Sequence, residues 1–183
     1  MIAAEGPLVV LGVGNVLLGD DGVGLRVIDE LRRLAVDDPA AIPDGTRLVD
    51  GGTLGLGLLG VMHGARSLLL LDAVSLGREP GTVSVLRGEA IATAAGPGVG
   101  TRPGSVGELL AVARMMGWLP DPVILVGVQV GDRGLGTELS ERVEAAVPEA
   151  LETVRMELRA LDGRRAAGRP ATPAIRILEE AMA

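Results

Sequence analysis

Cysteine, lysine, phenylalanine and tyrosine are missing from this chain of 183 residues, and it holds one tryptophan and one histidine. Each gap removes a class of chemistry. Without cysteine there is no disulfide, no thiolate metal site and no cysteine nucleophile. The single histidine, His63, and the want of a Gly-x-Ser-x-Gly elbow leave a serine-histidine-aspartate hydrolase without its parts. The core must come from Leu, Val, Ile, Ala and Met. The same shortage argues against a glycoside site of paired carboxylates, because sugar rings commonly stack on aromatic side chains. All 17 basic residues are arginine, which we read as compositional bias rather than chemistry. The net charge is −7 and no basic run is long enough to follow a phosphate backbone, so no nucleic-acid partner is expected. Apolar runs fall short of the roughly 20 residues that span a bilayer. Met1–Pro7 lacks the basic start of a signal peptide. A cytoplasmic protein without membrane insertion is expected.

What is present is apolar and regularly patterned. Hydrophobic residues make up 48% of the chain, enough for one domain with a sizeable core. Strands are expected at about 8–13, 46–50, 67–73, 82–86 and 122–130. Helices are expected from about Gly22 and at 54–63, 105–116 and 138–161. The first has Val23, Val27, Ile28, Leu31 and Leu34 on one face and Asp20 or Asp21 as its N-cap. Pro148 predicts a kink or a fresh start within the last. Residues 92–103 read as irregular, Met115 and Met116 as core, and Trp118 as packing. Alternating strands and helices predict an α/β fold, a three-layer α/β/α sandwich with a mostly parallel five-stranded sheet. Residues 1–162 are expected to form this domain. Residues 163–183 are expected to be a linker and a short C-terminal helix or disordered tail.

Chemistry is concentrated where the first strand ends, in Gly12-Val13-Gly14-Asn15-Val16-Leu17-Leu18-Gly19-Asp20-Asp21-Gly22-Val23-Gly24. The opening suggests a dinucleotide fingerprint, but Leu17 stands where a third glycine is needed. No Gly-Lys-Ser/Thr follows, so it is not a P-loop. Asp72 is less easily explained, because it ends the leucine run of a presumed central strand. If the first and third strands are parallel neighbours, Asp21 and Asp72 meet at one edge of the sheet. Two carboxylates there repel, and a cation relieves the repulsion. Two oxygen ligands hold a transition metal weakly, so a third is expected. His63 does not reach: it closes a helix that starts near that edge, on the order of 13 Å away.

The stretch from Gly12 to Gly24 resembles the signature of the nickel–iron hydrogenase maturation proteases. The likeness continues in Asp50-Gly51-Gly52-Thr53, Leu71-Asp72-Ala73, Pro80-Gly81-Thr82 and Leu125-Val126-Gly127-Val128. The resemblance implies an endopeptidase that removes the C-terminal extension of a nickel-loaded [NiFe] hydrogenase large-subunit precursor. The nickel then belongs to the substrate, and no permanent cofactor is expected. By position, Asp21 and Asp72 match the metal-contacting, catalytic acids, and Asn15 and Asp20 match residues that shape the loop and bind substrate. The family's third metal contact is a histidine shortly before the helix at 105–116. This chain reads Gly100-Thr101-Arg102-Pro103-Gly104-Ser105-Val106-Gly107 there, with Gly104 near the aligned place. Glu108, Gln129, Asp132 or the substrate's own cysteines are candidates to fill it. The alternatives are a non-catalytic homologue that binds the precursor without cleaving it and, more remotely, a nucleotide-binding domain.

Overall fold

The computed structural model describes residues 6–94, 105–131 and 133–166. Five strands form one sheet: β1 (Leu8–Val13), β2 (Thr46–Gly52), β3 (Ser67–Val74), β4 (Val83–Arg87) and β5 (Val123–Gln129). Their spatial order is β2-β1-β3-β5-β4. All run parallel except β4, which is antiparallel to β5. Successive side chains of a strand point to opposite faces, and both faces here are covered. Leu8, Val10, Leu69 and Leu71 join the cluster beneath α1 (Val23–Asp37) and α5 (Glu141–Ala166). Val9, Leu11, Leu68 and Leu70 join the cluster beneath α2 (Leu59–Met62), α3 (Glu89–Ala94) and α4 (Val106–Met115). Burial on both sides is why these strands read as unbroken apolar runs. The expected three-layer sandwich is the observed one.

The helices differ from expectation where glycine and proline decide. The helix expected at 54–63 is a 3-10 turn, Gly55–Leu58, followed by the single turn α2. Gly55, Gly57 and Gly60 weaken a longer helix, and Leu58 and Met62 are its buried anchors. Pro148 starts no new helix, since α5 runs through it without a break. Val143, Ala146, Val147, Ala150, Val154, Leu158 and Leu161 bury one stripe of α5, at roughly 2 kcal/mol for each fully buried large side chain. Pro148 lies on the exposed side, where the Glu144 carbonyl deprived of its usual partner faces water. The helix also continues past Gly163, the expected start of a linker, to Ala166. Residues 92–94, expected to be irregular, belong to α3. The remainder of that stretch to Pro103 and the short C-terminal helix expected within 163–183 lie outside the described residues. Met115 and Met116 are exposed rather than core, because they close α4 on its outer side.

Candidate active site

The chain leaves β1, crosses by α1 to β2 on one side, then returns to place β3 on the other. The gap beyond the carboxyl ends of β1 and β3 is therefore the switch point of the sheet, where open α/β sheets form a crevice. Pairing of the two strands ends at Gly12 and Leu71. Asp72 is the first residue of β3 past that point, and Val13-Gly14 leads into the acidic loop.

The loop is folded onto itself at Gly14, where φ is +139° and a Cβ would stand 2.0 Å from the backbone oxygen of Asp21. Only glycine fits both demands. The Gly14 amide donates to the carbonyl of Gly52 at 3.1 Å, tying the loop to the end of β2. There the Asp50 carboxylate accepts from the Gly52 amide at 3.0 Å and fixes an irregular turn in the β1–β2 pairing. The Asn15 amide donates to Oδ2 of Asp21 at 3.1 Å, and its side-chain Oδ1 accepts from the Leu17 amide at 2.9 Å. The group that approaches Gly14 closely is the chain's own backbone at Asp21.

The two adjacent aspartates have opposite surroundings. Asp20 is 0% exposed. Its Oδ1 accepts from the Ser140 amide at 2.7 Å, and its Oδ2 accepts from the Ser140 hydroxyl at 3.0 Å and the Gly131 amide at 2.9 Å. Asp20 thus braces the loop from within, tying it to Gly131 and Ser140. Neither aspartate caps α1, whose N-cap is Gly22 after the 3-10 turn Gly19–Gly22. Asp21 points outward. Its Oδ1 lies 3.5 Å from Nε of Arg133.

Asp21 and Asp72 line one cleft of about 300 Å³, together with Asn15, Thr53, Ser105 and Arg133. Asp72 accepts from the amide of Ala73 at 2.8 Å, which holds its carboxylate at the strand end. A larger cavity of about 920 Å³ adjoins this cleft and shares Asp72 and Arg133 with it. Among the described residues no three His, Cys, Asp or Glu side chains are grouped to hold a metal. Of the candidates for a third ligand, Gln129 is engaged elsewhere. Its Oε1 accepts from the amides of Leu76 and Arg78, and its Nε2 donates to the Val130 carbonyl. Glu108 does not line the cleft; Gly104 and Asp132 lie outside the described residues. His63 is at the other end of the sheet, its ring centroid 4.5 Å from that of Trp118, near where β3 and β5 begin.

A family model of hydrogenase maturation proteases, HycI, matches residues 25–157. The hydrogenase 2 maturation protease of Escherichia coli strain K12 is 34% identical over 153 residues, covering 83% of this chain and 90% of that protein. The chain belongs to the hydrogenase maturation protease family. The protease is also 32% identical over 154 residues to the hydrogenase expression/formation protein HupD of Rhodobacter capsulatus, covering 81% and 71% of the two chains. Its fold superimposes on the hydrogenase maturating endopeptidase HybD from E. coli with a TM-score of 0.71 at 32% identity, over 88% and 94% of the chains. The protease is thus an enzyme, an endopeptidase of hydrogenase maturation, and the alternative of a non-catalytic homologue finds no support. Sequence reasoning missed Arg133, Ser105 and Thr53 in its cleft. The signal was available: all three follow parallel strands or precede a helix at the same edge, and every such loop is a candidate in this fold.

Proposed function

We propose that the protease removes the C-terminal extension of a nickel-loaded [NiFe] hydrogenase large-subunit precursor, with Asp21 and Asp72 receiving the metal that the precursor carries. The observation behind this reading is the shared cleft at the switch point, lined by both acids. Two carboxylates form an incomplete coordination set. The remaining ligands then come from the precursor, and only a loaded precursor engages both acids. An ion held there polarises a carbonyl oxygen lying against it and eases attack by water. Asn15 keeps the Asp21 carboxylate turned toward the cleft through its backbone amide. Arg133 supplies the positive charge beside Asp21 until the ion arrives. We also propose the cytoplasm as the place of action, since the proposed substrate is an intermediate of cofactor assembly. The test is an incubation with nickel-loaded and with nickel-free precursor, followed by intact mass. Loss of the C-terminal peptide from the loaded form alone is expected. An unchanged mass of the loaded form overturns the proposal.

A further inference from the structure

Five of the large hydrophobic side chains exposed on the described surface stand on three loops around the carboxylate cleft: Val16 and Leu17 after β1, Leu54 and Leu56 after β2, and Leu135 after β5. Leu17 is 59% exposed and Leu135 93% exposed. None of the five lines the cleft itself, and none is needed by the core clusters. The loops are fastened to one another. The Gly136 amide donates to the Leu17 carbonyl at 3.1 Å and the Gly19 amide to the Gly136 carbonyl at 2.9 Å, joining the first loop to the third. The Gly14 to Gly52 hydrogen bond joins the first to the second. Exposed apolar side chains gathered on loops that are hydrogen-bonded to one another are candidates for an interaction surface.

We infer that Val16, Leu17, Leu54, Leu56 and Leu135 form the docking rim for the folded body of the precursor, and that its occupant is an apolar surface surrounding the precursor's metal centre. This inference rests on the proposed function for the identity of the partner. Continuity decides the occupant: whatever delivers a peptide to Asp21 and Asp72 must lie across the loops that frame them. A docked rim also closes the cleft to bulk water, which strengthens the hold of the two acids on an ion. Affinity for the precursor then resides in the loops and turnover in the acids.

The experiment compares the full-length protein with Leu17→Gln/Leu135→Gln, Leu54→Gln/Leu56→Gln and, as a control on exposed residues elsewhere, Met115→Gln/Met156→Gln. Precursor binding is measured by interferometry, and KM and kcat by intact mass. Each loop pair is expected to weaken binding and raise KM by about tenfold, with kcat within about twofold. The methionine pair is expected to leave both unchanged, and all melting curves to match the parent. Unchanged binding in both loop pairs overturns the inference, as does a dimer of this chain that the loop variants dissolve while precursor binding persists. If the parent binds precursor without cleaving it and the loop variants bind less, docking stands and the endopeptidase proposal falls. If the parent does neither, both fall.

Discussion

Replacing Asp72 by asparagine keeps an oxygen for the Ala73 amide and removes the charge from the cleft. The same change at Asp21 keeps an acceptor for the Asn15 amide. Each variant is expected to lose at least about a hundredfold in kcat, since holding an ion against a carbonyl is worth several kcal/mol. Each should keep its melting temperature within about 3 °C. Full activity in either would remove that acid from the mechanism. The neighbouring Asp20 should behave oppositely. Asp20→Ala strips the acceptor from the amides of Gly131 and Ser140 and from the Ser140 hydroxyl. Stability should fall by about 3 kcal/mol, read from the urea midpoint. An unchanged midpoint would show that the brace carries no weight. At this scale the resemblance singles out Asp21 as the acid that meets Asp72, while the partners that bury Asp20 are not legible in the sequence. They lie more than a hundred residues away, which no local pattern records.

At the scale of elements, Pro148 offers a direct measurement. Pro148→Ala restores an amide to the Glu144 carbonyl in an unbroken helix. It should raise stability by about 1 to 2 kcal/mol, the helix gain exceeding the added freedom of the unfolded chain. A lower denaturant midpoint would mean that the proline fits a geometry alanine does not. Strands proved easier to read than helices. β1 and β3 are buried on both faces, so their pattern is continuous and their ends are abrupt. The segment expected to be one helix at 54–63 shortens to a 3-10 turn and a single helical turn because Gly55, Gly57 and Gly60 favour no longer helix. Pro148 starts no fresh helix in α5 because the exposed face tolerates what a buried face does not.

For the whole molecule, α1 and α5 are joined on their outer sides by charge. Arg26 pairs with Glu30 and, at 3.0 Å, with Glu144 of α5; Arg33 also reaches Glu30 at 2.8 Å. The hydrogen bond from Arg26 holds the Glu30 carboxyl below its ordinary value of 4.5, against a smaller opposing effect of burial. A carboxyl lowered on folding stabilises the fold above its unfolded pKa, and that contribution disappears as pH falls through the lowered value. Glu30→Gln should therefore cost a small amount of stability at pH 7 and nothing once the parent carboxyl is protonated, well below pH 4.5. The comparison is of melting temperatures of the two proteins across that range, in low salt because the pair is partly open to solvent. An equal difference at every pH would exclude the linkage. The strand order that made the site was only half legible: alternation gave the layers, while the placing of β3 beside β1 is a matter of tertiary packing. The ties from Asp20 to Gly131 and Ser140 have one more consequence, in time rather than in space. A nascent chain that has emerged only as far as α4 already carries the entire acidic signature, yet holds neither Gly131 nor Ser140. The brace on Asp20 is expected to form only when the final third has been synthesised and folded back.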